Sequence, residues 1–175
     1  MGLKGKILLI AATVSVVGVS VALSVGGHYY GKAYSQALQS RSVAIAQGLK
    51  IQMDRILQLG IDMESLVGFE KQCRDAVDTY EGIDFAMVVG RDQTILFHSD
   101  AARNGTRLTD AGLAEAVRSK SASTVKYEFD RSRGSAAVIP VTAADGAYLG
   151  SVAVGLSEAA IIDRLQAMTL TRIGI

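Results

Sequence analysis

His98 and Ser99 stand side by side at the end of an apolar run, Ile95-Leu96-Phe97, with Arg103 following in a polar stretch, and Lys126-Tyr127 form a second pair on a later alternating segment. A serine next to a histidine invites a nucleophilic reading, but adjacent residues on a strand point to opposite faces, so the two make no dyad. Asp62 and Glu64 lie two apart on a presumed helix and do not face one another, which removes paired-carboxylate chemistry. No glycine-rich phosphate loop occurs; the pair Gly26-Gly27 marks only the end of an apolar block. Cys73 is the single cysteine and there are two histidines, too few for an intramolecular disulfide, a zinc site or a thiolate site. No catalytic residue, metal site or cofactor is therefore assigned.

Binding remains. The candidate ligand-binding residues are His98, Ser99, Arg103, Lys126 and Tyr127, and an anion would engage Arg103 or Lys126, because a buried carboxylate needs a charge-assisted partner to offset its desolvation. Each also has a plain structural reading. His98 can hydrogen-bond the loop backbone, Arg103 can pair with Asp100, and Lys126 can join a solvated cross-strand pair with Glu128 or a neighbour. Cys73 reads as a core thiol on one helix face with Phe69 and Val77.

The chain has 175 residues, 49% hydrophobic, and a formal charge of +1. Lys4 and Lys6 precede the apolar block; without them 16 basic residues face 17 acidic ones. A near-neutral domain with no basic stripe gives no footprint for nucleic acid.

From Ile7 to Val25 runs ILLIAATVSVVGVSVALSV, uncharged and long enough, at about 1.5 Å per residue, to cross a hydrocarbon core of about 30 Å. Such a block must be helical in lipid. Lys4 and Lys6 on one side, and only His28 with the interfacial Tyr29 and Tyr30 on the other, place residues 1–6 in the cytoplasm and everything beyond residue 25 outside it. A cleaved signal peptide is the competing reading, but its apolar region is usually shorter. Either way the domain is exported.

Apolar residues at helical spacing (Tyr34, Ala37, Leu38, Ala44, Ile45, Leu49, Met53, Ile56, Leu57) predict one long helix over about 30–66, which can pair with a second copy. A second helix is expected over Phe69–Tyr80. The period then shortens towards two: Phe85–Val89 and Thr94–Phe97 flank the polar turn 90–93 as a hairpin. A loop with Asn104-Gly105 leads to a short helix, Ala111–Ser119, capped by Thr109 or Asp110. Strands follow at Thr124–Phe129, Ala136–Val141 and Tyr148–Leu156, with Pro140 signalling a bulge or an edge. Glu158–Ile175 returns to helical spacing.

This order, together with Asp84–Asp92, Ile95–Asp100, Ala102–Gly105, Pro140-Val141 and Gly146–Gly155, resembles the single Cache domain, the PAS-like extracytoplasmic sensor of bacterial kinases, chemoreceptors and related receptors. The resemblance covers about residues 34–168. It implies an α+β fold in which the long membrane-proximal helix packs on a five-stranded antiparallel sheet, with a ligand pocket between the sheet and the crossover loop. It divides the chain into residues 1–6 in the cytoplasm, a transmembrane helix at 7–25, the sensor at 26–168, and 169–175 leading towards a second span. It also implies a bacterial inner-membrane receptor with a periplasmic input domain, a small-molecule ligand such as an organic acid or amino acid, a homodimer through the long helix, and a cytoplasmic output region outside these residues. In the citrate and C4-dicarboxylate sensor kinases that it resembles, a histidine ends the second strand, where His98 stands here. Ile95 stands where those sensors carry an arginine, and Tyr127, Phe129 and Ile139 replace polar or basic groups, which argues against a citrate-like ligand. The alternative is a ligand-free, membrane-anchored interaction module with its pocket filled by Phe97, Tyr127 and Phe129.

Overall fold

The computed structural model describes residues 39–129 and 132–159. The span expected at 7–25, the start of the long helix and the C-terminal stretch from residue 160 lie outside them, as do the side chains of Glu64 and Phe129. Among the described residues, no helix is long and apolar enough to cross a membrane.

Helix α1 occupies residues 39–57. Its buried face is Ser42, Ile45, Ala46, Leu49 and Met53, a spacing of three and four that keeps one stripe against the sheet. Ala44, expected in that stripe, is exposed instead. Ser42 satisfies its hydroxyl within the helix by donating to the Gln39 carbonyl at 2.9 Å. The helix ends well before residue 66: Gly60 takes a left-handed φ of +80° while its N–H reaches the Leu57 carbonyl at 3.0 Å, a termination that a residue with a Cβ resists. A 3-10 turn, Met63–Ser65, and Gly68 at φ +90° lead into α2, Phe69–Thr79, which buries Phe69, Cys73 and Ala76.

Five strands follow: β1 Ile83–Gly90, β2 Ile95–His98, β3 Ser123–Phe129, β4 Ser132–Thr142 and β5 Tyr148–Ser157. They form one sheet in the order β2-β1-β5-β4-β3, all neighbours antiparallel. The β3–β4 hairpin is tighter than the turn expected over 130–135, since β4 already starts at Ser132, opposite Phe129. Pro140 occupies an edge, as its ring requires. The β3 pairing stops at Ser123↔Val138, so beyond that point β4 bonds only to β5.

Each sheet face carries a core. On one, α1 and α2 bring Ile45, Leu49, Met53, Phe69 and Cys73 onto Val88, Phe97, Val141, Val152 and Val154. On the other, α3, Ala111–Ser119, sets Leu113, Ala116 and Val117 against Met87, Val89, Val138 and Ala153. β1 is thus covered on both sides, in keeping with its nearly unbroken apolar run. Asp110 fixes α3 twice: Oδ1 accepts the Leu113 N–H at 2.7 Å as an N-cap, and Oδ2 accepts the Glu128 N–H of β3 at 2.8 Å. The helix sits so close that a Cβ on Gly112 would lie 2.7 Å from the Lys126 carbonyl oxygen.

Candidate functional site

The chain places its polar groups on the α3 face by breaking the strand alternation twice. Ile83 pairs with Leu156 and Phe85 with Gly155, so Asp84 sits in a bulge. Residues two apart would normally share a face; here Ile83 joins the α1–α2 core while Phe85 joins the α3 core. A second register shift in the β1–β2 pairing has the same effect on Ile95 and Phe97. His98, opposite Met87, ends β2 on the α3 side.

Two glycines then let aromatic rings lie across the sheet. Phe85 covers Gly155, where a Cβ would come within 2.3 Å of its ring, and Tyr127 covers Gly134, where a Cβ would come within 2.9 Å of its hydroxyl. The rings meet edge to face with centroids 5.0 Å apart, and Phe85 stacks on the His98 imidazole at 6.0 Å. The Tyr127 hydroxyl donates to Asp84 Oδ2 at 2.8 Å. Burial, followed by that bond, pushes the phenol well above its ordinary range.

His98 is 3% exposed, and its Nδ1 accepts the Asp100 N–H at 2.9 Å, so the neutral ring carries its proton on Nε2. Burial, reinforced by the Arg103 charge, pulls its pKa down to about 4, against the opposing pull of Asp100 and Asp84. The His98 N–H donates to Asn104 Oδ1 at 2.8 Å, closing the loop on itself. Within that loop Asp100 caps the 3-10 turn Ala101–Arg103 through the Ala102 N–H, and Arg103 Nε lies 3.6 Å from Asp100 Oδ2. Ser99 is tied to β1, its N–H donating to the Ala86 carbonyl at 2.9 Å, and its own carbonyl accepts from Arg74 Nε of α2 at 3.3 Å.

Four of the five sequence-derived candidates, His98, Ser99, Arg103 and Tyr127, are thereby gathered around Phe85 and the 99–104 loop. Lys126 is not. It is exposed between Val125 and Tyr127, and strand alternation directs it away from the core that those two enter. Glu128, its suggested partner, pairs with Arg133 at 3.2 Å. Asp84 and Phe85 join the cluster although the sequence reading gave them no site role; the signal was the pair of strand glycines, Gly134 and Gly155. On this face of the sheet the Phe85 and Tyr127 rings pack in the α3 core, whereas Phe97, expected beside Tyr127, points into the opposite core. Cys73 is fully buried and its thiol is pushed up to about 12 by burial, consistent with a core role.

The family described as single cache domain 3 matches residues 29–169. This chain belongs to it. The single Cache fold also accounts for the solved structures that it resembles. The sensor domain of E. coli DcuS superposes with a TM-score of 0.60 at 15% identity, covering 75% of this chain and 97% of that one. An extracellular ligand binding receptor from Desulfohalobium retbaense gives 0.53 at 16% identity over 73% of this chain, which spans 24% of the receptor chain. The extracellular domain of the putative histidine kinase rpHK1S-Z16 gives 0.50 at 13% identity, covering 84% of this chain and 64% of that one. No curated protein matches by sequence. At these identities the likeness is one of fold.

Proposed function

We infer that this Cache domain is the extracytoplasmic input of a bacterial transmembrane receptor, with residues 1–6 cytoplasmic, 7–25 crossing the inner membrane, 26–168 sensing outside, and 169–175 leading to a second span and an output region. A small organic acid or amino acid engages the 98–103 loop through Ser99, Arg103 and His98, with Tyr127 beneath. The observation that carries this reading is the Arg74 to Ser99 bond. It ties the loop to α2, and α2 packs in the same core as α1, the described helix nearest in sequence to the proposed span. A ligand that prefers one loop position shifts α2 and α1 by mass action, provided that its affinity for the two packings differs. Two copies in one membrane pair through α1.

Thermal unfolding of the full chain in detergent micelles, against panels of organic acids and amino acids, tests this. A ligand at about 100 times its Kd adds roughly 2.7 kcal/mol and raises Tm by about 5–10 °C. The shift should vanish in Arg103→Gln and persist in Lys126→Gln. A flat panel together with tight self-association supports the second reading, a ligand-free interaction module, which is favoured by the Phe85 and Tyr127 rings filling the α3 face.

A further inference from the structure

A groove of about 490 Å³ runs between α1 and α2, on the opposite side of the sheet from His98. The two helices are antiparallel along it, Arg41 meeting Tyr80 at one end and Gln52 lying with Gln72 towards the other, about 16 Å along α1. Its floor is apolar, made by the buried Ile45, Leu49 and Ala76, and its α1 side is low because Ala44 and Gly48 have little or no side chain; a Cβ built on Gly48 meets nothing within 4 Å. Its walls carry one cation and one anion. The Arg41 guanidinium lies 5.7 Å from the centroid of the Tyr80 ring, and Asp75 stands on α2 about 7 Å back along the helix from Tyr80. Among the described residues, neither Arg41 nor Asp75 is in an ion pair; those formed are Lys50–Asp54, Arg103–Asp100, Arg118–Glu115 and Arg133–Glu128.

We propose that this groove binds an α-amino acid with a large apolar side chain. The carboxylate goes to Arg41, the ammonium to Asp75, and the side chain lies on the Ile45-Leu49-Ala76 floor beside Gly48, in a groove whose volume falls in the range of small-molecule sites. A dicarboxylate is disfavoured because its second charge meets Asp75. The site is separate from the 98–103 loop and does not depend on the sensing role proposed for it.

Calorimetric titration of the full chain in micelles with L-phenylalanine tests the assignment. Binding is expected at sub-millimolar to millimolar concentration, weakened about tenfold or more by Arg41→Gln and by Asp75→Asn, and about as much when 3-phenylpropionate or 2-phenylethylamine replaces the amino acid. Gly48→Leu should abolish it by filling the groove, with the thermal unfolding midpoint kept at or above that of wild type because leucine favours the helix more than glycine does. Lys126→Gln, far from the groove and outside the 98–103 loop, should leave it unchanged. Absence of binding, equal affinity for 3-phenylpropionate, wild-type affinity in Gly48→Leu, or loss in Lys126→Gln without loss in Arg41→Gln each overturns the proposal.

Discussion

The Tyr127 hydroxyl and the Asp84 carboxylate meet at 2.8 Å although their strands, β3 and β1, are separated in the sheet by β4 and β5. Contact over that distance requires the intervening strands to present no side chains there, and Gly134 and Gly155 meet the requirement. The pair therefore clamps the edge strand β3 to β1, across β4 and β5, beside the Phe85 ring that stacks on His98.

Removing the hydroxyl tests the clamp. Tyr127→Phe should cost about 1.5–3 kcal/mol, the range for a hydrogen bond to a charged group, while Asp84→Asn, which can still accept, should cost less. Chemical denaturation of the two single variants and the double gives the coupling; additive effects would show that the contact contributes nothing.

The glycine beneath Phe85 makes a second, steric prediction. Gly155→Ala places a methyl 2.3 Å from the ring, so the ring must move, at about 1–3 kcal/mol. Shortening the ring in a Phe85→Leu background should recover part of that loss. If Gly155→Ala is as stable as wild type, Phe85 does not lie over Gly155.

Acidification should act on His98. Its folded pKa, about 4, is below the unfolded value of 6.5, so the unfolded chain binds the extra proton first, and stability falls as the pH drops from about 6.5 to 4. The loss is on the order of 3 kcal/mol across that window. Protonation also places a donor at Nδ1 opposite the Asp100 N–H, loosening the loop that holds Arg103. His98→Asn keeps an acceptor near Nδ1 but cannot titrate, so its unfolding free energy should vary less between pH 7 and 4 than that of wild type; parallel curves would remove His98 from the account.

Much of the architecture was legible because it rests on local rules. The change of period from helix to strand near Phe85, the cap at Asp110, the turn at Asn104-Gly105 and the edge position of Pro140 all follow from side-chain shape and backbone geometry within a few residues. So did the place of Cys73 in a helix face. The end of α1 was misjudged because Leu66 continues the apolar count, while Gly60 in a left-handed conformation stops the helix near residue 57.

From the sequence alone came the helix–sheet order, the resemblance to the single Cache family, the expectation of an exported domain and the choice of His98, Ser99, Arg103, Lys126 and Tyr127 as candidate ligand-binding residues. What tertiary structure alone decided was which faces those residues share. The bulge at Asp84 inverts the alternation that a strand pattern assumes, and Phe85 rather than Phe97 packs on the α3 face. Face assignment depends on register, and register is set by pairing between strands tens of residues apart, so no local spacing carries it.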